Sequence, residues 1–295
     1  MKSPSVVRAT IVCALALLIA AAPVAARSAE VRTADVFGQR IAYVDVGTGP
    51  AVVLVHGLAD DLGVWHDTIA ALAPHHRVIA LDLLGFGKSA KPLVEYGAAT
   101  EADVLDGLLA RLHVTHATVV GNSLGGWVAT LLAVRRPARV ARLVLVDAAG
   151  LRGLAARLGP RTMTDLRLAD RDAFVRLCSL TFYAARFCRD DPDGSSAFAA
   201  RLHAGDGYAV GRIVDAIARG DDALDPLLSA VRVPTLIIWG RGDRLIPITD
   251  GERFLAGIRG ARLVVLDRCG HEPQVECAAP FKAALMLFIG EDITP

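Results

Sequence analysis

Three side chains far apart in the sequence, a serine, an aspartate and a histidine, have the settings that nucleophilic chemistry requires. Ser123 sits in Gly121-Asn122-Ser123-Leu124-Gly125, directly after the apolar run 117–120. The spacing G-x-S-x-G between a short strand and a helical segment is the sequence form of a nucleophile elbow. The sharp turn exposes the serine, and the flanking glycines let the backbone turn without a Cβ clash. A serine hydroxyl barely ionises at neutral pH, so it needs a base, and the base needs an orienting acid. His271, in the loop that follows the apolar run 262–267, is expected to take the Ser123 proton and return it to the leaving group. Asp243, in the Gly-rich turn after the run 235–240, is expected to fix the imidazole tautomer. Asp147 is the rival acid, since it ends the run 143–146 and could reach the same histidine from a neighbouring strand. A Gly-rich turn presents a side chain more readily, which favours Asp243. Asp82 and Asp267 read as turn caps.

Attack on a carbonyl makes an oxyanion, and an oxyanion needs donors. The backbone N–H of Leu124, at the start of the helix after the nucleophile, is one expected donor. The loop His56-Gly57-Leu58 follows the run 51–55, and the Leu58 N–H is the second. His56, Gly57, Asn122, Phe182 and Leu245 are expected around the substrate. Leu151, Leu154, Leu158, Met163, Phe174, Leu177, Leu180 and Tyr183 are further apolar candidates for that wall, with core packing as the alternative for at least half of them. Trp127 reads as packing.

The elements that must hold these residues alternate along the chain. Strands are expected at 35–37, 41–45, 51–55, 78–82, 117–120 and 143–146, and helices at 65–72, 101–112 and 124–135. Short apolar runs separated by amphipathic segments imply a parallel sheet with crossover helices, and Pro137 ends the helix after the elbow. The stretch 151–231 breaks the pattern: it has no convincing strand, and its 11 Arg balance 11 Asp. It reads as a helical cap inserted between two strands, with a turn at Asp190-Asp191-Pro192-Asp193-Gly194. The alternating pattern resumes at 233–240 and closes with a helix at 279–289. Two nucleotide-binding patterns fail. Gly85-Phe86-Gly87-Lys88-Ser89 contains GKS, but Asp82 stands where the Walker A glycine belongs, and Gly47-Thr48-Gly49 is followed by Val52 where the third dinucleotide glycine belongs. The 85–89 stretch is expected as a tight loop near the pocket mouth.

The chain resembles the α/β-hydrolase superfamily in its cap-bearing serine branch. The resemblance rests on LVHGL at 54–58, LDLLGFGKSAKP at 81–92, GNSLGGW at 121–127, PTLIIWGRGDRLIP at 234–247 and CGHEPQVE at 269–276. It implies a mostly parallel eight-stranded sheet flanked by helices, divided as a core over 27–150 and 232–295 with the cap at 151–231. It also implies the order Ser123, Asp243, His271 for the triad. GNSLGG and the Gly-His-x-x-Gln-x-Glu stretch are similar to carboxylesterases and to the C–C hydrolases of aromatic meta-cleavage pathways. Those C–C hydrolases usually read His-Gly-x-Gly-Pro-Gly in the first loop and often have Trp after the histidine. Here Leu58-Ala59-Asp60-Asp61 follows Gly57, and Glu272 follows His271, which favours the esterase reading. Serine at the elbow argues against epoxide hydrolases and dehalogenases, which use Asp. The expected activity is two-step hydrolysis of a small apolar carboxylic ester. The alternatives are C–C cleavage of a dienoic acid, acyl transfer, and a non-catalytic ligand receptor.

The net charge of +1 leaves no basic footprint for nucleic acid. Lys2 and Arg8 precede the apolar stretch 9–22 and Pro23-Val24-Ala25-Ala26, the form of an export signal cleaved after Ala26. The expected location is therefore the periplasm or outside a bacterial cell, with no stable membrane span after cleavage. An uncleaved N-terminal anchor, which needs ~20 apolar residues, is the alternative. Cys178, Cys188, Cys269 and Cys277 remain in the mature chain, and an even count in an exported protein permits disulfides. Cys178 and Cys188 are the candidate pair, and their spacing leaves the bond open. Sequences resembling this one often carry cysteine around the histidine loop without a bridge, as at Cys269 and Cys277. No cofactor is expected, and the Cys and His residues show no metal-ligand spacing.

Overall fold

The computed structural model describes residues 30–189, 191 and 193–290. The expected leader lies outside the described residues, as do Asp190 and Pro192 of the expected turn. Eight strands form one sheet: β1 Arg32–Val36, β2 Gln39–Val46, β3 Ala51–Val55, β4 Arg77–Leu81, β5 Ala117–Asn122, β6 Val140–Val146, β7 Thr235–Gly240 and β8 Arg262–Leu266. Their order is β1-β2-β4-β3-β5-β6-β7-β8. β1 and β2 pair antiparallel, β2 pairs antiparallel with β4, and all other pairs are parallel. The central strands are nearly continuous runs of Val, Ile, Leu and Ala because helices cover both faces of a parallel sheet. Every residue of β5 and β7 is buried.

On one face lie α1 His66–Leu72 and α11 Ala278–Ile289, which contribute Ile69, Leu72, Phe281 and Leu285 to one core cluster with Trp65. On the other lie α2 Ala98–Arg111, α3 Leu124–Arg135 and α9 Ile248–Gly257, with Leu105, Leu108, Val128, Leu132 and Phe254 in the second cluster. Helix α2 begins earlier than local sequence suggests. The Asp222 carboxylate accepts the Ala99 N–H at 3.2 Å, a cap supplied from far along the chain. Trp65 ends the 3₁₀ turn Leu62–Trp65, so α1 starts one residue later than expected.

Between β6 and β7 the chain forms α4 Leu154–Asp165, α5 Arg171–Thr181, α6 Arg186–Arg189, α7 Ser195–Ala204 and α8 Gly207–Arg219. Val210, Ile213 and Val214 of α8 join the core cluster of α2 and α3, which seats this insertion on the sheet layer. A disulfide joins Cys178 of α5 to Cys188 of α6. A second disulfide, Cys269–Cys277, closes the loop that carries His271. The sequence had suggested unbridged cysteines there; the turn α10 Pro273–Glu276 folds the chain back and brings the two together. Among the described residues no helix is long and apolar enough to cross a membrane.

The parallel register decides where the chemistry goes. Val55 is level with Gly121, Asn122 with Val146, Val146 with Ile238, and Gly240 with Leu266. The residues that follow these strands are His56, Ser123, Asp147, Asp243 and His271. All five therefore emerge at the carboxyl edge of the sheet, where open α/β sheets bind ligands.

Candidate active site

Ser123 has φ 52° and ψ −115°, a backbone conformation that a non-glycine residue adopts only under constraint. The constraint is visible. Its N–H donates to Val146 O at 3.0 Å, and its carbonyl accepts N–H groups from Gly126, Trp127 and Ala149. The glycines make room for the turn: a Cβ on Gly121 would lie 2.2 Å from Gly125 O, and one on Gly125 would lie 2.2 Å from Val55 O. Alanine at either position cannot be accommodated without moving β3 or α3.

His271 and Asp243 are both buried, and His271 Nδ1 donates to Asp243 Oδ2 at 2.7 Å. That bond places the proton on Nδ1 and leaves Nε2 as the basic nitrogen. Asp243 Oδ1 accepts the N–H groups of Leu245 at 2.8 Å and Ile246 at 2.9 Å, so the Gly-rich turn holds the carboxylate on three donors. The loop of His271 is anchored as well. Its own N–H donates to Thr181 O at 2.6 Å, and its carbonyl accepts Asn122 Nδ2 at 3.0 Å. Asp147 makes no hydrogen bond to the imidazole among the described residues; its Oδ1 accepts the Gly240 N–H at 3.0 Å. Ser123 and His271 line one cavity, although the Ser123 hydroxyl carries no hydrogen bond among the described residues.

The first loop is organised by His56. Its Nε2 accepts the Leu83 N–H at 3.0 Å, so its proton sits on Nδ1, which donates to Gly57 O at 2.7 Å. Full burial holds its pKa down and keeps the ring neutral. The C=O and N–H of a trans peptide point opposite ways, so this bond turns the Leu58 N–H away from His56. Neither the Leu58 nor the Leu124 N–H donates to another group of the chain among the described residues. Two uncommitted N–H groups beside a strained serine, one of them at a helix N-terminus, have the arrangement an oxyanion requires.

The cavity has a volume of about 410 Å³. The sequence profile of the α/β-hydrolase fold matches residues 50–277. The chain belongs to that family. It is 34% identical over 271 residues to the 2-hydroxymuconate semialdehyde hydrolase of Pseudomonas sp. (strain CF600), covering 86% of this chain and 92% of the relative. Among solved structures it resembles the meta-cleavage product hydrolase of Pseudomonas fluorescens IP01, with TM-score 0.79 and 27% identity over 88% of this chain and 97% of the other. It also resembles a thermophilic esterase from Thermogutta terrifontis, with TM-score 0.74 and 25% identity over 88% and 98%.

In this α/β hydrolase, Gly57, Asn122, Phe182 and Leu245 line the cavity with Ser123, and so does Trp127, for which the sequence suggests packing. His56 does not line it; burial places it behind the loop, where it orients Gly57. Leu154, Leu158, Phe174 and Leu177 reach the cavity from the insertion. Leu151, Met163, Leu180 and Tyr183 do not line it, and Tyr183 is exposed. The 85–89 loop is not at the cavity mouth. It wraps Asp82, whose carboxylate accepts the Leu62 and Lys88 N–H groups, and a Cβ on Gly87 would lie 2.3 Å from it. Asp82 thus closes two turns, whereas Asp267 is an exposed ion-pair partner of Arg241. Asp60 and Glu272 are half-buried in the cavity wall, whereas the sequence marks them only as departures from the C–C hydrolase pattern; their one further signal is adjacency to the His-Gly loop and to His271. Burial, reinforced by the charge of Asp61, lifts Asp60 to about 7. Burial, with the charges of Asp60 and Glu276, pushes Glu272 well above the usual carboxylate range.

Proposed function

We propose that this hydrolase cleaves a neutral, apolar carboxylic ester through an acyl-enzyme on Ser123. The observation that carries the choice of ester is what the cavity wall offers a carboxylate. Among the described residues that line it there is no Lys or Arg, while Asp60, Asp191 and Glu272 are present. Arg201 stands beside this wall, but its guanidinium is engaged with Ala59 O at 2.7 Å and with Asp206 at 2.5 Å. A dienoic acid carries a carboxylate, and burying it beside carboxyl groups without a cation is strongly unfavourable. An uncharged ester escapes that penalty, and the apolar side chains of the insertion suit its acyl or alcohol part.

In the proposed reaction the Ser123 hydroxyl turns towards His271 Nε2, a bond that often closes only when substrate binds. Ser123 Oγ attacks the ester carbonyl as Nε2 takes its proton, and the Leu58 and Leu124 N–H groups receive the oxyanion. Asp243 stabilises the imidazolium through Nδ1. Collapse expels the alcohol, which leaves with the proton from Nε2. Water then attacks the acyl-enzyme, giving its proton to His271, and the acid is released as Ser123 regains it. The C–C hydrolase reading has its own support in the names of the relatives, and it uses the same residues. We further propose that the protein is exported; two disulfides in one chain suit an oxidising compartment.

The test sets p-nitrophenyl esters of graded chain length beside a meta-cleavage dienoate, with Ser123→Ala as control. Ester turnover that disappears in Ser123→Ala, with the dienoate untouched, is the expected result. Rapid dienoate cleavage with inert esters would replace the ester reading with the C–C one, and rates that rise with added thiol or amine acceptor would replace it with acyl transfer. Tight binding without turnover would leave a receptor. Ester turnover that survives in Ser123→Ala would reject the nucleophile.

A further inference from the structure

The mechanism above makes no use of Asp147, although this is a fully buried carboxyl group placed with care. Its backbone has φ 43°, in the left-handed region that is unfavourable for a side chain, and its N–H is tied to Ile238 O at 3.1 Å. One carboxyl oxygen, Oδ1, accepts the Gly240 N–H. The other, Oδ2, is buried and meets no N–H or O–H donor among the described residues. What surrounds it is the acid–base pair itself: ligating atoms of Asp147, Asp243 and His271 all lie within 4.8 Å of one another.

Two carboxylates side by side in a buried site cannot both stay ionised. The donors decide which one keeps the charge. Asp243 accepts from Leu245, Ile246 and His271, whereas Asp147 accepts only from Gly240. The other charged group acting on Asp147 is Glu272, itself an acid, so nothing there helps Asp147 to ionise apart from the Gly240 N–H. We propose that Asp147 keeps its proton and donates it from Oδ2 to the Asp243 carboxylate, making Asp147 the positioning residue of the triad acid. Burial, the Asp243 charge and this hydrogen bond all push Asp147 well above the usual carboxylate range, in agreement.

The consequence reaches His271. With one carboxylate and one neutral acid behind it, the imidazole sees a single negative charge. A second carboxylate there would favour the imidazolium further and make Nε2 a poorer acceptor for the serine proton. The neutral Asp147 hydrogen bond also spreads the Asp243 charge and fixes the rotation of that carboxylate. This role rests on the proposed ester chemistry for its kinetic readout, but the proton on Asp147 does not.

Asp147→Ala, Asp147→Asn and Ser123→Ala test it. Alanine removes the donor. Asparagine keeps both bonds, offering Nδ2–H to Asp243 and Oδ1 to Gly240 without any charge. We expect Asp147→Ala to lower kcat by about tenfold to a hundredfold, the worth of a hydrogen bond to a charged group, with little change in KM. The acid limb of its kcat/KM profile should move to higher pH, because His271 becomes more basic. Asp147→Asn should restore most of both. Infrared difference spectra at neutral pH should show a deuterium-sensitive band of a protonated carboxylic acid that is lost in Asp147→Asn and kept in Ser123→Ala. An Asp147→Asn enzyme as impaired as Asp147→Ala, an unperturbed Asp147→Ala, or no band lost in Asp147→Asn would each overturn the proposal. If Asp147→Ala does not fold, or if esters prove inert, the infrared comparison still decides.

Discussion

Glu276 offers the sharpest test of how this active site is braced. Its carboxylate accepts the Gly270 N–H at 2.6 Å, the Ala184 N–H at 2.6 Å and the Tyr183 N–H at 3.1 Å. One side chain thus ties the residue before His271 to the segment that leaves α5. In Glu276→Ala the buried Gly270 N–H is left without a partner, at a cost of about 1–3 kcal/mol, while the two half-buried amides lose about 0.5–1.5 kcal/mol each because water replaces the carboxylate in part. The sum, about 2–6 kcal/mol, is a large share of the roughly 5–15 kcal/mol that holds an ordinary protein folded. For a chain of this size, at about 2 °C per kcal/mol, it corresponds to a fall in Tm of about 4–12 °C. The His271 loop keeps its disulfide and its bond to Thr181 O, so the variant should fold, but with the imidazole less well placed. A displacement of about 1 Å near the chemistry costs on the order of a hundredfold in rate. Glu276→Gln keeps one acceptor oxygen and should fall between. Calorimetry, urea titration and ester kinetics on the three proteins measure this directly. A Glu276→Ala protein that melts with wild type and keeps its kcat would show that the hydrogen bonds carry neither stability nor alignment.

Two pH-dependent effects follow from other acids with raised pKa values. Glu101 on α2 is fully buried, with Oε2 accepting the Leu84 N–H at 3.0 Å and Oε1 without a partner among the described residues, and burial lifts its pKa from 4.5 to about 8. The folded state then holds a proton that the unfolded chain has released, so this group lowers stability progressively as pH rises from about 4.5 to about 8, and by a constant amount above that. Glu101→Gln should gain a few kcal/mol of stability in urea titrations above about pH 8 and little at about pH 5; equal gains at both would refute the protonation argument. In the cavity, Asp60 ionises at about 7, and its negative charge then lies beside the Gly57-Leu58 loop proposed to receive the oxyanion. The wild-type kcat should therefore sag on the alkaline side while Asp60→Asn holds level, and identical pH profiles would count against it.

Much of the site was legible from the chain because its motifs are local. The elbow needs small residues at Gly121 and Gly125 for reasons of backbone clearance, and a Gly-rich turn after a strand announces Asp243. Apolar runs of five or six residues located the central strands, since a parallel sheet buried on both faces tolerates little else. Three-dimensional packing alone decided the rest. Asp147 and Asp243 compete on paper, and only the register of β6 against β7 gives the imidazole to Asp243 and leaves Asp147 behind it. His56 looked like a pocket residue by position, but a hydrogen bond to its own neighbour and another from Leu83 fix it behind the loop. The second disulfide depends on a short helical turn, and the start of α2 depends on a carboxylate from Asp222. The acids of the cavity wall have ordinary settings in sequence, because the burial that dominates their shifts is created by packing and leaves no trace in local spacing. Sequence determines which groups can react, whereas the environment that sets their protonation is assembled only when the chain folds.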